Sequence, residues 1–189
     1  LQVFSHIITC LVEGEFMQME DVYRIDQGID RYMTKTQKKT ADFMEGCMEL
    51  GGLLGGWSES EIVELKKYGH ALGMAFQITD DIMDYRETTE TTGKPVGNDL
   101  REGLLTYPLL SIVNDDNKDK LLADIKALNN GGDEQAIIDY VISQGGIDNT
   151  LAVADQYCKD ALAALDAVRD FPGKELLVMA VENLADRKV

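Results

Sequence analysis

The sequence of 189 residues has little proline, little cysteine and a shortage of positive charge. Its 3 prolines force few segments out of helical conformation. The three cysteines, Cys10, Cys47 and Cys158, are odd in number, lie far apart and form no CxxC pair, which excludes a disulfide framework and a zinc cluster. This use of cysteine is typical of a protein of the reducing cytoplasm, so we expect a cytoplasmic location.

Charge and hydropathy exclude two further classes of protein. There are 18 basic residues against 34 acidic ones, which gives a net charge of −16. Contacts to phosphates need clustered Lys and Arg, so we expect neither nucleic acid nor an anionic membrane surface as a partner. The apolar stretch Val3–Val12 is interrupted by Ser5 and His6 and is too short to span a bilayer, so we expect no membrane span.

The sequence has helical periodicity, and its hydrophobic content of 44% is enough to form a hydrophobic core. No segment alternates as a strand would, so the pattern predicts one all-α domain. Ser58 and Glu61 form a capping box, which predicts a helix start. The stretch 88–101 is predicted to be a loop. Helices are predicted over Leu1–Met19, Gln27–Leu54, Ser58–Arg86, Leu104–Val113, Lys118–Leu128, Asp133–Ser143, Asp148–Ala167 and from Pro172-Gly173 to about Arg187.

The first residues have the pattern of a helix interior. Phe4, Ile8 and Leu11 stand at helical spacing from the start of the chain, without an initiator Met or a cap before them. We therefore expect residues upstream of Leu1 to be missing from this sequence.

The strongest candidate for a functional site in the sequence is the stretch Asp80-Asp81-Ile82-Met83-Asp84. On a helix, Asp80 and Asp84 share a face with Gln77, and Asp81 lies about 100° round from Asp80. Carboxylates this close raise one another's pKa, and a hard cation such as Mg²⁺ relieves the repulsion. A second copy of the pattern, Asp115–Asp119, lies in a polar stretch where a helix begins, so we interpret it as a helix cap that complements the dipole.

Basic residues occur at two places that suit an anionic ligand. Lys94 stands between Gly93 and Pro95, close after Asp84, and a lysine there can neutralise a diphosphate beside a metal. Lys35 and Lys39 are four residues apart on one predicted helix face. For these two, a solvated basic face is an equally good interpretation.

Four ordered motifs resemble those of the trans-polyprenyl diphosphate synthases, and they extend over most of the chain. They are Gly14-Glu15 with Gln18; Lys39-Thr40-Ala41; Phe76-Gln77-x-x-Asp80-Asp81-x-x-Asp84; and the loop from Gly93-Lys94 through Gly97, Asp99, Leu100, Glu102 and Gly103 to Pro108-Leu109. Their common order is far more specific than any one of them.

The resemblance implies an all-α bundle around a central cavity, of the isoprenoid synthase type. It also implies a Mg²⁺-dependent enzyme that joins isopentenyl diphosphate to an allylic diphosphate and makes a linear polyprenyl diphosphate. Carried over, Asp80 would bind Mg²⁺, with Asp81 and Asp84 aiding directly or through water. The remaining implied site residues are Lys39 and Lys94 on the allylic diphosphate, Thr40 and Gln77 beside the reacting groups, Phe76 near the isopentenyl side, and Gln18 as a further substrate-binding residue.

Two departures from the family pattern limit this assignment. The family's earlier DDxxD motif is absent before Gly14, so residues 1–189 would be the C-terminal part of one synthase domain, roughly 60% of it, with its N-terminal helices missing. Many members also carry Lys where this chain has Leu104 or Leu105. A fragment inactive by itself, or a non-catalytic subunit of a heteromeric synthase, therefore stays open, and we expect a homodimer or heteromer through the N-terminal helix. A terpene cyclase is a third hypothesis, although cyclases typically carry an Asn-Ser-Glu motif here.

Overall fold

A computed structural model describes residues 1–86 and 97–186 and confirms the all-α class of the isoprenoid synthase fold. Within these ranges every regular element is helical. Lys94 and Arg187 lie outside the described residues. The α-helices are α1 Gln2–Glu20, α2 Gly28–Thr36, α3 Asp42–Leu54, α4 Glu59–Arg86, α5 Asn98–Glu102, α6 Tyr107–Leu110, α7 Lys118–Ala127, α8 Glu134–Ser143, α9 Gly146–Asp166 and α10 Lys174–Asp186.

The helix predicted over Gln27–Leu54 is interrupted. Residues Gln37–Ala41 form a π-helix between α2 and α3, here called the π segment. A π-helix has i→i+5 hydrogen bonds and is found mostly as a short insertion in an α-helix, often at a functional site. The backbone dihedral angles on both sides of it stay helical, so α2, the π segment and α3 follow one another without a turn.

Helix α4 is the centre of the bundle and begins as predicted. The Ser58 backbone N–H donates to Glu61 Oε2 over 3.1 Å, which completes the capping box. Helix α4 packs mainly between α3 and α9. Gly73 and Gly69 permit the close approach of α3 and the π segment, because a Cβ at Gly73 would lie 2.6 Å from the Ala41 Cα atom.

Apolar side chains form two buried clusters along α4. Toward the end of α4, Ile78 and Ile82 pack with residues of α6 to α9 and with the segment after α5. Nearer its start, Tyr68 and Ala75 pack with α9 and α10, and the Tyr68 hydroxyl donates to the Leu177 carbonyl over 2.9 Å. The charged end of α4 is therefore held on a rigid support.

Two predicted elements differ from those observed between α4 and α7. Asn98–Glu102 is a short helix where a loop was predicted. The helix predicted over Leu104–Val113 is wrong at its ends, because only Tyr107–Leu110 is helical. Gly103 has a left-handed backbone at φ 74° and Thr106 is extended. Residues 104–106, here called the strap, have no regular secondary structure.

The second aspartate pattern lies at a helix start as predicted, but the predicted aspartate cap is wrong, because the N-cap residue is Asn117 and its side chain makes no capping hydrogen bond. The Asn114 carboxamide oxygen accepts from the Asp116 and Asn117 backbone N–H groups. Asp115 is exposed and pairs with Lys118 at 2.8 Å. Asp119 lies in the first turn of α7, where it complements the helix dipole as expected.

Among the helices of residues 1–86 and 97–186, none has both the length and the apolar character that crossing a bilayer needs.

Candidate functional site

Residues from all four motifs meet at one cavity of about 180 Å³. It lies between α1, the end of α2 with the π segment, the charged end of α4, and the strap after α5. The lining residues are Gln18, Tyr32, Lys35, Thr36, Lys39, Thr40, Gln77, Asp80, Asp81, Asp99, Leu104, Leu105 and Thr106. Two larger surface grooves, of about 670 and 560 Å³, are lined by no residue of these motifs.

Lys39 reaches the cavity from the π segment and is held by α1. Its Nζ atom donates to Gln18 Oε1 over 3.0 Å and lies 2.9 Å from Glu15 Oε2. Helix α1 can come this close because position 14 has no side chain. A Cβ at Gly14 would lie 2.7 Å from the Lys39 backbone nitrogen. The first two motifs are thus one contact between α1 and the π segment.

A chain of hydrogen bonds links the π segment to α4. The Thr40 hydroxyl donates to Gln77 Oε1 over 3.1 Å, and Gln77 Nε2 donates to Asp81 Oδ1 over 3.2 Å. The Tyr32 hydroxyl donates to the other Asp81 oxygen over 2.5 Å. Gln77 therefore fixes both the Thr40 hydroxyl and the Asp81 carboxylate.

The predicted aspartates differ in environment. Asp80 is exposed at the cavity, whereas Asp81 is buried beneath it. Burial raises the pKa of Asp81 to about 6, although hydrogen bonds from Tyr32 and Gln77 favour its charged form. The structure places Asp84 elsewhere, since its carboxylate accepts from the Asn98 and Asp99 backbone N–H groups over 3.1 and 3.2 Å.

Asp99 is a site residue that the candidate set did not include. It comes from the first turn of α5 and lines the same cavity as Asp80 and Asp81. Burial, together with the neighbouring charges of Asp84, Asp81 and Asp80, raises its pKa to about 7. Asp99 was part of the fourth motif in the sequence, but only the fold shows that α5 lies beside the end of α4, which brings Asp99 to the cavity.

Lys35 and Tyr32 are two further residues of the cavity that the candidate set lacked. Lys35 is buried, which lowers the pKa of its ammonium, and its Nζ lies 3.5 Å from Gln27 Oε1 and 4.0 Å from Asp21 Oδ2. Its spacing of four from Lys39 was the available signal. The solvated-face interpretation is wrong for Lys35, because the side chain points into the protein.

Three further positions from the sequence analysis remain, namely Phe76, Lys94 and the pair Leu104 and Leu105. Phe76 is 38% exposed on α4 and is not part of the cavity lining. Lys94 lies outside the described residues, so its role stays a prediction. Leu104 and Leu105 do line the cavity, at the positions where many relatives would have Lys.

The donor set at the cavity fits a hard divalent cation. Asp80, Asp81 and Asp99 offer carboxylate oxygens, and Mg²⁺ prefers oxygen ligands. Burial raises the pKa of Asp81 in spite of the three hydrogen bonds to its carboxylate, and burial with the neighbouring carboxylates raises the pKa of Asp99. A cation at this place would relieve both effects.

Comparison with known proteins points to a single family. A family model described as polyprenyl synthetase matches residues 1–144. Heptaprenyl diphosphate synthase component 2 of Geobacillus stearothermophilus is 34% identical over 167 residues, which cover 88% of this chain and 52% of that protein. Octaprenyl diphosphate synthase of Escherichia coli is 32% identical over 181 residues, which cover 94% of this chain and 56% of that protein.

The solved structures agree with the sequence relatives. A decaprenyl diphosphate synthase from Rhodobacter capsulatus superposes with a TM-score of 0.89 at 26% identity, covering 100% of this chain and 59% of that one. The chain spans about half the length of the curated relatives it matches.

Proposed function

The chain belongs to the polyprenyl synthetase family, and on that premise we propose that it supplies the allylic half of the active site of a chain-elongating prenyltransferase. The reaction condenses isopentenyl diphosphate with an allylic diphosphate and gives a linear polyprenyl diphosphate. Residues 1–189 are proposed to be the C-terminal part of one synthase domain.

One observation carries the proposal: an anion-binding group and a cation-binding group face each other across one small cavity. Lys39 and Thr40 come from the π segment, and Asp80 and Asp81 come from α4. A diphosphate has charge enough to need both, because a cation held by the aspartates would supply part of the positive charge and the lysine would neutralise the remainder.

The chain's own side chains have distinct roles in the proposed reaction. The allylic C–O bond breaks and its electron pair leaves with pyrophosphate. The isopentenyl double bond attacks the allylic cation left behind, and the new cation then loses a proton, which the released pyrophosphate can accept, to form the double bond of the product. Lys39 stabilises the charge that grows on the leaving group after exchanging Gln18 and Glu15 for diphosphate oxygens. The Thr40 hydroxyl, which now donates to Gln77 Oε1, would likewise exchange that acceptor for a diphosphate oxygen. For Lys94 the family motif alone supports a similar role.

Mg²⁺ is the proposed cofactor, with Asp80 and Asp81 as its holders. When bound, it supplies positive charge that stabilises the departing pyrophosphate. Asp84 is proposed to act indirectly, because its carboxylate is engaged by the start of α5. Asp99 joins the acidic wall of the cavity in its place.

Helix α1 is proposed to pair with another helix in a homodimer or heteromer. Large apolar side chains four residues apart lie exposed along it, namely Phe4, Ile8, Val12 and Phe16. Such a stripe favours helix-on-helix packing. The relative named component 2 supports a heteromer as one form of this pairing.

A reducing, cytoplasmic location is proposed from the thiols. Within the described residues, Cys10, Cys47 and Cys158 each keep a thiol and form no disulfide. Free thiols are typical of that compartment.

Neither alternative function is favoured by the relatives. Their names are those of prenyl diphosphate synthases, which supports chain elongation over both cyclisation and a purely non-catalytic role.

The test compares Asp80→Asn with Asp115→Asn in the intact protein. Both variants change the first aspartate of a DDxxD pattern, but Asp115 belongs to the second pattern, where its side chain is exposed. We expect Asp80→Asn to lower Mg²⁺-dependent incorporation of labelled isopentenyl diphosphate at least roughly 10²-fold, through loss of charge stabilisation. Asp115→Asn should stay within about 2-fold of the parent, since an isolated exposed ion pair contributes little. Equal activity of the two variants would contradict the assignment.

A further inference from the structure

A second group of metal-ligand side chains lies outside the aspartate cavity. His6, Cys10 and Asp42 each offer one ligand atom, and these atoms all lie within 4.8 Å of one another. His6 and Cys10 stand one turn apart on α1, and Asp42 is the first residue of α3. None of the three lines the cavity described above.

The spacing of the histidine and cysteine suits tetrahedral zinc. The His6 Nε2 atom lies 3.6 Å from the Cys10 sulfur. Zinc binds sulfur at about 2.3 Å and imidazole nitrogen at about 2.0–2.1 Å, so two such ligands at a tetrahedral angle stand about 3.6 Å apart. The pair is therefore already at the separation that a shared zinc ion requires.

The burial and the charge of the three ligand side chains favour a soft divalent cation such as zinc. Cys10 and Asp42 are both buried, while His6 is exposed and leaves a path for entry. A thiolate and a carboxylate together offer two negative charges, which match a divalent cation. Sulfur and nitrogen ligands select zinc over magnesium. The Lys38 ammonium is paired with Glu13 at 2.5 Å, so its charge is compensated.

We propose that His6, Cys10 and Asp42 form a three-ligand binding site for zinc or a similarly soft divalent cation. The fourth position is open to water or another ligand, as in zinc sites with three protein ligands. Asp42 also belongs to a second group with Glu45 and His70. That group is the weaker candidate, because the Glu45 carboxylate is engaged by Lys66 at 3.4 Å.

A metal at this place would tie α1 to α3 directly behind the π segment. Asp42 follows Ala41 without a break, and Gln37 Nε2 donates to Asp42 Oδ1 over 3.3 Å. The ion would thus hold α1 against the helix that follows the π segment, and Lys39 lies at the contact of α1 with that segment. This proposal goes against the expectation, drawn from the cysteine spacing, that there is no zinc cluster, because that spacing could not show a ligand such as Asp42 from another helix.

The test is a Zn²⁺ titration of the reduced full chain by calorimetry, with excess Mg²⁺ present to occupy the aspartate cavity. We expect one tight zinc ion per chain. His6→Ala and Cys10→Ser should each raise the Kd at least roughly 10-fold. Cys47→Ser is the matched control, because Cys47 is an exposed thiol outside the group, and it should keep the parent Kd.

Two further readouts separate lost ligands from lost folding. His6 is exposed, so His6→Ala should keep the parent circular dichroism spectrum. Co²⁺ added in place of Zn²⁺ should give a thiolate-to-metal absorption band in the parent and in Cys47→Ser, and none in Cys10→Ser. No binding by the parent, or His6→Ala binding as tightly as the parent, would overturn the proposal.

Discussion

The contact between Gly14 and the π segment gives the sharpest test of the architecture. A Cβ at position 14 would lie 2.7 Å from the Lys39 backbone nitrogen and 3.0 Å from its Cα atom. These are backbone atoms, so α1 or the π segment must move to accept Gly14→Ala. Gly51 is the matched control, because it lies within α3 and nothing stands within 4 Å of its Cβ position.

The magnitude follows from two opposing effects. Alanine in place of glycine stabilises a helix interior by about 1 kcal/mol, and both variants share this gain. Overpacking costs about 1–3 kcal/mol, and only Gly14→Ala suffers it. The difference between the variants is therefore the cost of the contact. At about 2–4 °C per kcal/mol for a domain of this size, Gly14→Ala should melt about 2–12 °C below Gly51→Ala.

Thermal unfolding followed by circular dichroism measures this difference. Activity of the intact protein measures its consequence, because a shift of Lys39 by a fraction of an ångström misplaces the diphosphate, and we expect kcat/KM to fall by up to about 10²-fold. Equal melting temperatures, with unchanged activity in both variants, would refute the close approach of α1 and the π segment.

Three other perturbations probe the site and the α1 surface. Gln77→Leu leaves a hydroxyl and a buried carboxylate without their partner, so we expect urea denaturation to show a loss of about 1–3 kcal/mol and kinetics to show a lower kcat. The pKa of Asp99 is about 7 in the folded state against an ordinary 3.8, so between these pH values the folded state binds one more proton than the unfolded state. The free energy of unfolding of the metal-free protein should therefore fall by up to about 4 kcal/mol as the pH rises from about 4 to about 7. Asp99→Asn should flatten that urea-denaturation profile, and a profile as steep as the parent's would contradict the cause. Phe16→Glu should abolish self-association measured by light scattering. Leu176→Glu changes an equally exposed apolar residue on α10 and should leave self-association intact. The same particle mass for the two variants would contradict pairing through α1.

The elements predicted well from the sequence have local causes. The capping box at Ser58 and Glu61 is complete within one turn, so the start of α4 needed no tertiary information. The grouping of Lys39 and Thr40 with Gln77 and the aspartates depended on the family motifs, since nothing local joins the π segment to α4.

The elements that were missed depend on contacts distant in sequence. The π segment could not be predicted, because its side chains have ordinary helical spacing and only the approach of α1 and α4 distinguishes it. Residues 104–106 look helical by periodicity, yet they form no helix and line the cavity. Asp84 shares a helix face with Asp80, but α5 returns to engage its carboxylate. Each case is a tertiary preference overriding a local one.

The π segment has a consequence for how this helix changes over evolutionary time. A π turn holds one more residue than an α turn, which is equivalent to a single inserted amino acid worth about 100° of rotation. If residues 37–41 were wound as α-helix, α3 would be turned by about that angle relative to Tyr32, whereas removing one of them would restore a continuous α-helix and leave α3 in place. The π segment thus keeps the buried faces of α2 and α3 in phase, while its own Lys39 and Thr40 line the cavity.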